Sequence, residues 1–306
     1  MKRVLIATEK PFAPVALEKI TDVINRAGYK LDLLEKYKTK AELLAAVSTA
    51  NALIVRSDLI DRDVLDAGKN LEIVVRAGAG YDNVDTSYAK ERSVVVMNTP
   101  GQNSNAVAEL AIGLAIYGIR GFFGGNSGGE LRGRTLGLHG YGYVARNVHR
   151  IARAFGMNVK VYTRYSKAQA SSEGLEVTAS LEELYASSDV VSIHVPARGE
   201  HLKSVSMAVL KHLKEGAIIV NTARKEVINE DDLCRFMEDR IDVKYLSDIA
   251  PDCAAKMISD FEERCYFTPK KIGAQTEEAN TNAGVAAAEQ IVGFFANGDQ
   301  TFRVNK

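Results

Sequence analysis

Residues 135–145 read Thr135-Leu136-Gly137-Leu138-His139-Gly140-Tyr141-Gly142-Tyr143-Val144-Ala145. A short apolar run passes into Gly-x-Gly-x-x-Ala, and a helical pattern follows through Phe155. The first glycine permits a tight turn, the second lets backbone approach a pyrophosphate, and a small third residue lets helix and strand pack closely. The helix N-terminus then offers free N–H groups and a positive dipole end to phosphates. The spacing predicts a dinucleotide-binding turn, with Gly140, Gly142, Tyr143 and Val144 against the cofactor. The competing reading is a plain strand-to-helix turn that uses glycine for geometry alone.

Working outward, strand-like and helix-like stretches alternate. Val4–Ala7, Leu31–Leu34, Ala52–Val55, Ile73–Val75 and Val94–Met97 read as strands, and Pro14–Ala27 and Lys40–Ser48 carry apolar residues at helical spacing. A second series holds Thr135–Leu138, Val159–Tyr162, Val190–Val195, Ala217–Val220 and Tyr245–Ile249. Repeated βαβ units predict parallel sheets covered by helices on both faces. The fold class expected is α/β, with two flavodoxin- or Rossmann-like doubly wound lobes. Asn105–Ile119 reads as a linking helix, Thr276–Asn297 as a returning one, and Gly121–Gly129 as a tight or mobile glycine-rich loop.

The chain of 306 residues carries 39 Lys plus Arg against 39 Asp plus Glu, so there is no basic footprint for nucleic acid. No secretory pattern opens it and no apolar stretch is long enough for a membrane span. Cys234, Cys253 and Cys265 lack metal-type spacing. Reduced thiols, no metal and a cytoplasmic location are expected.

The strand after the glycine turn should end in the residue that reads the adenosine ribose, about 20 positions on. Thr163 and Arg164 stand there, with no acid. An acid would accept from the ribose 2′-OH and repel a 2′-phosphate. Thr163 and Arg164 are therefore expected to hold a 2′-phosphate, so that NADP as well as NAD is accepted, unless Arg164 is only a solvated surface residue.

Several blocks then line up with one family. They are Arg76-Ala-Gly-Ala-Gly-Tyr-Asp-Asn83, Asn98-Thr-Pro-Gly-Gln-Asn-Ser104 with Val107-Ala-Glu-Leu110, the Gly140 turn, Ser192-Ile-His-Val-Pro196 and Val220-Asn-Thr-Ala-Arg224. Over its full length the chain resembles the D-isomer-specific 2-hydroxyacid dehydrogenases, and within them the short phosphoglycerate branch without a C-terminal regulatory domain. The resemblance implies a discontinuous substrate domain, residues 1–100 plus 283–306, and a dinucleotide domain, residues 101–282. It implies nicotinamide and substrate meeting in a cleft, and a homodimer. The 121–129 loop is shorter than the arm many relatives carry there.

The resemblance also assigns residues. Arg224 matches the family's catalytic arginine, whose fork can grip the 2-oxo and carboxylate oxygens. Gly78-Ala79-Gly80 resembles the loop whose N–H groups hold the substrate carboxylate. Arg56 and Arg76, just past strand ends, look like a clamp for a substrate phosphate, or else are ordinary strand-end arginines. His194, Pro196, Thr222, Ala223 and Asp248 are expected beside the cofactor, with His139 and His149 as bystanders.

Two departures matter. The family's proton-donating histidine is absent; the matching segment is Thr268-Pro-Lys-Lys-Ile-Gly-Ala274, and either Lys270 or Lys271 takes its place. The glutamate expected five residues after Asp248 is Cys253, with Asp252 adjacent. A carboxylate would hold a lysine further from a working range, whereas burial and a nearby Arg224 would lower it. Lysine without the glutamate is thus chemically coherent as acid/base. The reaction implied is interconversion of 3-phosphoglycerate and 3-phosphohydroxypyruvate. The alternatives are reduction of hydroxypyruvate or glyoxylate, and a dinucleotide-sensing protein without catalysis.

Overall fold

The structure, a computed structural model, describes residues 1–164 and 167–306. The chain divides into two units, Met1–Asn103 with Thr276–Lys306, and Ser104–Gln275.

The first unit holds β1 (Arg3–Thr8), β2 (Lys30–Glu35), β3 (Ala52–Val55), β4 (Ile73–Arg76) and β5 (Val95–Asn98). Their order is β2-β1-β3-β4-β5 and every pairing is parallel. Side chains alternate between the two faces of a strand. Val4 and Ile6 accordingly join one core with the helices Pro14–Arg26 and Glu277–Asn297, while Leu5 and Ala7 join another with the helix Lys40–Val47. Burial on both faces is why β3 and residues Val95–Met97 of β5 read as unbroken apolar runs. Thr39 and Glu42 form a reciprocal capping box that starts the helix Lys40–Val47.

The second unit holds β6 (Thr135–His139), β7 (Asn158–Tyr162), β8 (Glu176–Val177), β9 (Val190–Ile193), β10 (Ile218–Asn221), β11 (Lys244–Ser247) and β12 (Cys265–Phe267). The order is β12-β11-β10-β9-β6-β7-β8, all parallel. From β6 the chain winds outward through β7 and β8, then returns to β9 on the other side. Strand direction of travel thus reverses between β6 and β9, the place where open α/β sheets bind dinucleotides.

Two strands were not expected from the sequence. β8 is two exposed residues at the sheet edge, and β12 is three residues, both too short to display a pattern. The expected domain crossings also move. They fall after Asn103 and after Gln275, not at 100 and 282. A crossing at 282 would cut the helix Glu277–Asn297, whose Ala279, Ala283, Ala287, Ala288 and Ile291 are all buried. Within 121–129, Gly121–Phe123 forms one 3-10 turn, and the Phe122 and Phe123 rings pack edge-on against Tyr117 with centroids 5.1 Å away.

Candidate active-site residues in the two units

In the second unit the glycine turn follows β6. Gly140 has φ +97, and a Cβ there would stand 2.8 Å from Val195 Cγ1 and 3.0 Å from the His194 carbonyl oxygen. Only glycine fits, because both the backbone conformation and the close approach exclude a side chain. Its N–H donates to the Tyr162 carbonyl at 3.0 Å. Gly142 caps the twelve-residue helix Tyr143–Ala154, no side chain caps that end, and a Cβ on Gly142 would meet nothing within 4 Å. Unsatisfied N–H groups of the first turn beside open space suit a pyrophosphate. Tyr143 is exposed and Val144 half-buried at this end. The residues present therefore fit a dinucleotide.

On the flank, His194 sits at the end of β9. Its N–H donates to the His139 carbonyl at 2.8 Å and its Nε2 meets Ser192 Oγ at 2.9 Å. Desolvation pushes its pKa down to about 3, so the ring is neutral and does not serve as a proton donor near neutrality. Pro196 is exposed. After β10, the buried Asn221 side chain braces the turn. Its Nδ2 donates to the Arg224 carbonyl at 3.0 Å, and its Oδ1 accepts from the Ala223 N–H at 3.0 Å. This brace, which sequence reasoning did not single out, holds half-buried Arg224, whose Nη1 donates to the Ala223 carbonyl at 2.9 Å. The hydroxyl of Thr222 is buried with no hydrogen-bond partner, a polar atom left for a ligand.

Beyond β7, Thr163 is half-buried and Arg164 exposed. Arg164 does not stand alone: Nη1 lies 3.2 Å from Glu200 Oε1 and Nη2 3.2 Å from His201 Nε2.

Asp248, expected beside the cofactor, is engaged by its own chain. It is fully buried, and its carboxylate faces its own chain. Oδ1 accepts from Thr268 Oγ1 at 3.0 Å and the Ile272 N–H at 2.9 Å; Oδ2 accepts from the Gly273 N–H at 2.9 Å. A buried charge needs such donors, and here they wire down the loop that carries both candidate lysines. Lys270 and Lys271 are themselves exposed, not buried as expected. Asp252 lies on the loop after β11. It pairs with Lys225, and the N–H groups of Asp252 and Cys253 donate to the Glu230 carboxylate at 3.0 and 2.9 Å. The Cys253 thiol lies 3.5 Å from Cys234 Sγ, and burial pushes it up, so it stays protonated. Of the bystander histidines, His139 is buried beside Tyr185 and His149 meets the Tyr141 hydroxyl at 2.7 Å.

In the first unit, Val55 pairs with Arg76, so Arg56 and Arg76 lie at the ends of adjacent strands. Arg76 Nε donates to the Arg56 carbonyl at 2.9 Å. Arg56 is largely engaged within the unit: Nη1 donates to the Lys10 and Pro11 carbonyls at 2.9 and 3.0 Å, and Nη2 to Asn280 Oδ1 at 2.6 Å. Its guanidinium also lies 5.2 Å from the Phe12 ring centroid. Asn280, 224 residues away, carried no signal in the sequence. Gly78 has φ +148, and a Cβ there would fall 1.5 Å from Arg76 Nη1, so the arginine lies across its own loop. Asn98 Nδ2 pins the Ala79 carbonyl at 2.6 Å. Among the described residues, nothing accepts from the N–H of Ala79 or Gly80.

The family described as D-isomer specific 2-hydroxyacid dehydrogenase, catalytic domain, matches residues 4–305. Hydroxypyruvate reductase of Thermotoga maritima is 32% identical over 282 residues, covering 86% of this chain and 90% of that protein. D-3-phosphoglycerate dehydrogenase of Methanocaldococcus jannaschii is 34% identical over 269 residues, 83% of this chain; the match spans about half, 51%, of that longer protein. The crystal structure of NAD+-bound 3-phosphoglycerate dehydrogenase from Entamoeba histolytica superposes with a TM-score of 0.87 at 43% identity, covering 100% of this chain and 99% of that one.

Proposed function

The chain belongs to the D-isomer specific 2-hydroxyacid dehydrogenases, enzymes that use a nicotinamide cofactor, and from that premise we propose that it interconverts 3-phosphoglycerate and 3-phosphohydroxypyruvate, the first step of serine synthesis. The observation that carries the substrate assignment is the pair of guanidinium groups, Arg56 and Arg76, at the ends of adjacent strands beside a loop with two unengaged N–H groups. Cations at that spacing suit a phosphomonoester, and backbone donors suit a carboxylate.

In this reading the Ala79 and Gly80 N–H groups take the substrate carboxylate, and Arg56 and Arg76 take the distal phosphate. Arg224 grips and polarises the 2-oxo oxygen, held in place by the Asn221 brace. Lys270 or Lys271 gives the proton to that oxygen as the 2-oxo acid is reduced. Both lysines are exposed and so within reach of a ligand. A nicotinamide bound there would supply or take up the hydride at substrate C2. Gly140, Gly142, Tyr143, Val144, Thr163, Arg164, His194, Pro196, Thr222 and Ala223 are assigned to the dinucleotide. We take the working form as a cytoplasmic homodimer; among the described residues no helix is long and apolar enough to cross a membrane.

A second reading is favoured by two observations: reduction of hydroxypyruvate. The Thermotoga relative bears that name over nine-tenths of its length, and most Arg56 donors are already engaged. Initial rates with 3-phosphohydroxypyruvate and hydroxypyruvate, each with NADH and NADPH, decide between them. Preferred turnover of the phosphorylated acid, lost in Arg76→Ala while hydroxypyruvate turnover persists, supports the clamp. Equal or better turnover of hydroxypyruvate removes it. Cofactor binding without turnover of any 2-oxo acid would favour a sensing role, against which the retained Arg224 stands.

A further inference from the structure

The loop beyond β7 lacks the acid that usually reads the adenosine ribose, yet an acid stands there from another part of the chain. The sheet order β7-β6-β9 places the glycine turn between the loop after β7 and the loop after β9. The turn is fastened to both, through the Gly140–Tyr162 hydrogen bond on one side and the close approach to Val195 and His194 on the other. A dinucleotide laid on such a turn brings its adenosine ribose over the end of the second strand, here Thr163 and Arg164. Glu200, on the short turn Gly199–His201 of the β9 loop, reaches that same place. Its Oε1 lies 3.2 Å from Arg164 Nη1, and His201 flanks the guanidinium at 3.2 Å.

We infer that Glu200 decides the 2′ group of the cofactor, favouring NAD(H) over NADP(H), by neutralising Arg164 and placing a carboxylate where a 2′-phosphate would have to come. This rests on the nicotinamide-cofactor reading of the turn and reverses the expectation drawn from Arg164 alone. Both side chains are well exposed, 77% and 68%, so the pair adds little to fold stability. Its consequence is for a ligand. A 2′-phosphate carries between one and two negative charges near neutrality, and must either face Glu200 or pull Arg164 away from it. A 2′-hydroxyl is neutral and can donate to the same carboxylate. The sign of selectivity therefore follows the carboxylate, which salt bridges to the only strand-end cation of that loop among the described residues.

The test uses binding, independent of turnover. ADP-ribose and 2′-phospho-ADP-ribose are titrated calorimetrically into the whole protein, into Glu200→Gln, and into Glu200→Gln with Arg164→Ala. The parent is expected to prefer ADP-ribose by on the order of tenfold, the effect of one close like-charge contact. Glu200→Gln should erase or invert that preference, chiefly by tightening the phosphorylated probe, and the added Arg164→Ala should remove the gain. Unchanged melting temperatures would show that folding is not at issue. Tighter binding of the phosphorylated probe by the parent, or an unaltered ratio in Glu200→Gln, overturns the assignment to Glu200 while leaving the cofactor site intact. Failure of both probes to bind overturns the cofactor site itself and this assignment with it.

Discussion

The loop after β4 and the turn after β6 both place glycines at the end of a parallel strand, for opposite reasons. At Gly78 the absent side chain makes room for the protein's own cation, since Arg76 Nη1 would lie 1.5 Å from a Cβ. At Gly142 the absent side chain leaves open space, with nothing of the protein within 4 Å. One glycine is determined by packing already present; the other leaves open room, which the proposed function gives to the cofactor. The comparison teaches that a glycine-rich motif names a backbone geometry, and that its neighbours decide whether the geometry serves the chain or the bound molecule.

The largest effect is expected at Gly78. In Gly78→Ala the guanidinium of Arg76 must leave the loop, and the positive φ is strained as well. A fall in kcat/KM of roughly 10³, with about 3 kcal/mol lost in urea unfolding, is expected. Combined with Arg76→Ala, the packing share of the stability loss should vanish, because the two changes act on one contact. Additive losses would break the comparison at its first term.

Gly140→Ala comes next. Its φ of +97 and the 2.8 Å approach to Val195 should cost about 3 kcal/mol, seen as a lower urea midpoint, together with weaker cofactor binding. The residue before it supplies a pH dependence. His139 is 1% exposed, and desolvation pushes its pKa down to about 4 from 6.5. A base with a depressed folded pKa binds its proton more readily when unfolded, so the unfolded chain gains as pH falls. Its contribution is complete above about pH 6.5 and is lost progressively down to about pH 4. A shift from 6.5 to about 4 is worth about 3 kcal/mol across that window. Stability measured against pH should vary less steeply over that window in His139→Phe, with His194 supplying the remaining slope; an unaltered profile would remove His139 as a cause.

The smallest effect sharpens the comparison most. Gly142→Ala should leave stability within about 0.5 kcal/mol, since its φ of −94 and its surroundings accept a methyl group. Cofactor Kd should weaken about tenfold as the methyl enters the space held for the pyrophosphate. A cofactor affinity equal to the parent's would mean that the open space at Gly142 is not the cofactor's.

Legibility from sequence followed sequence distance. The strands that carry the site were readable because burial on both faces makes apolar runs, and the glycine turn because its spacing is local. β8 and β12 were not, being two and three residues. The motif blocks located Arg224, Arg56 and Arg76, but not what each touches. Asn280 on Arg56 and Glu200 beside Arg164 are joined only by the chain's return. Asp248 read as a cofactor residue because its place at a strand end was visible, while the Thr268, Ile272 and Gly273 donors lie 20–25 residues on.

Local sequence was enough for the α/β architecture, the position of the glycine turn and the residue types offered to a 2-hydroxy acid, because periodicity and turn chemistry act over a few neighbours. Only the tertiary structure decided the charge state of the surroundings. It set a carboxylate against Arg164, closed the Asp248 carboxylate on its own loop, and left Lys270 at an exposed position. The physical reason is that electrostatic partners are chosen by distance in space, and folding brings together groups that no local pattern can pair.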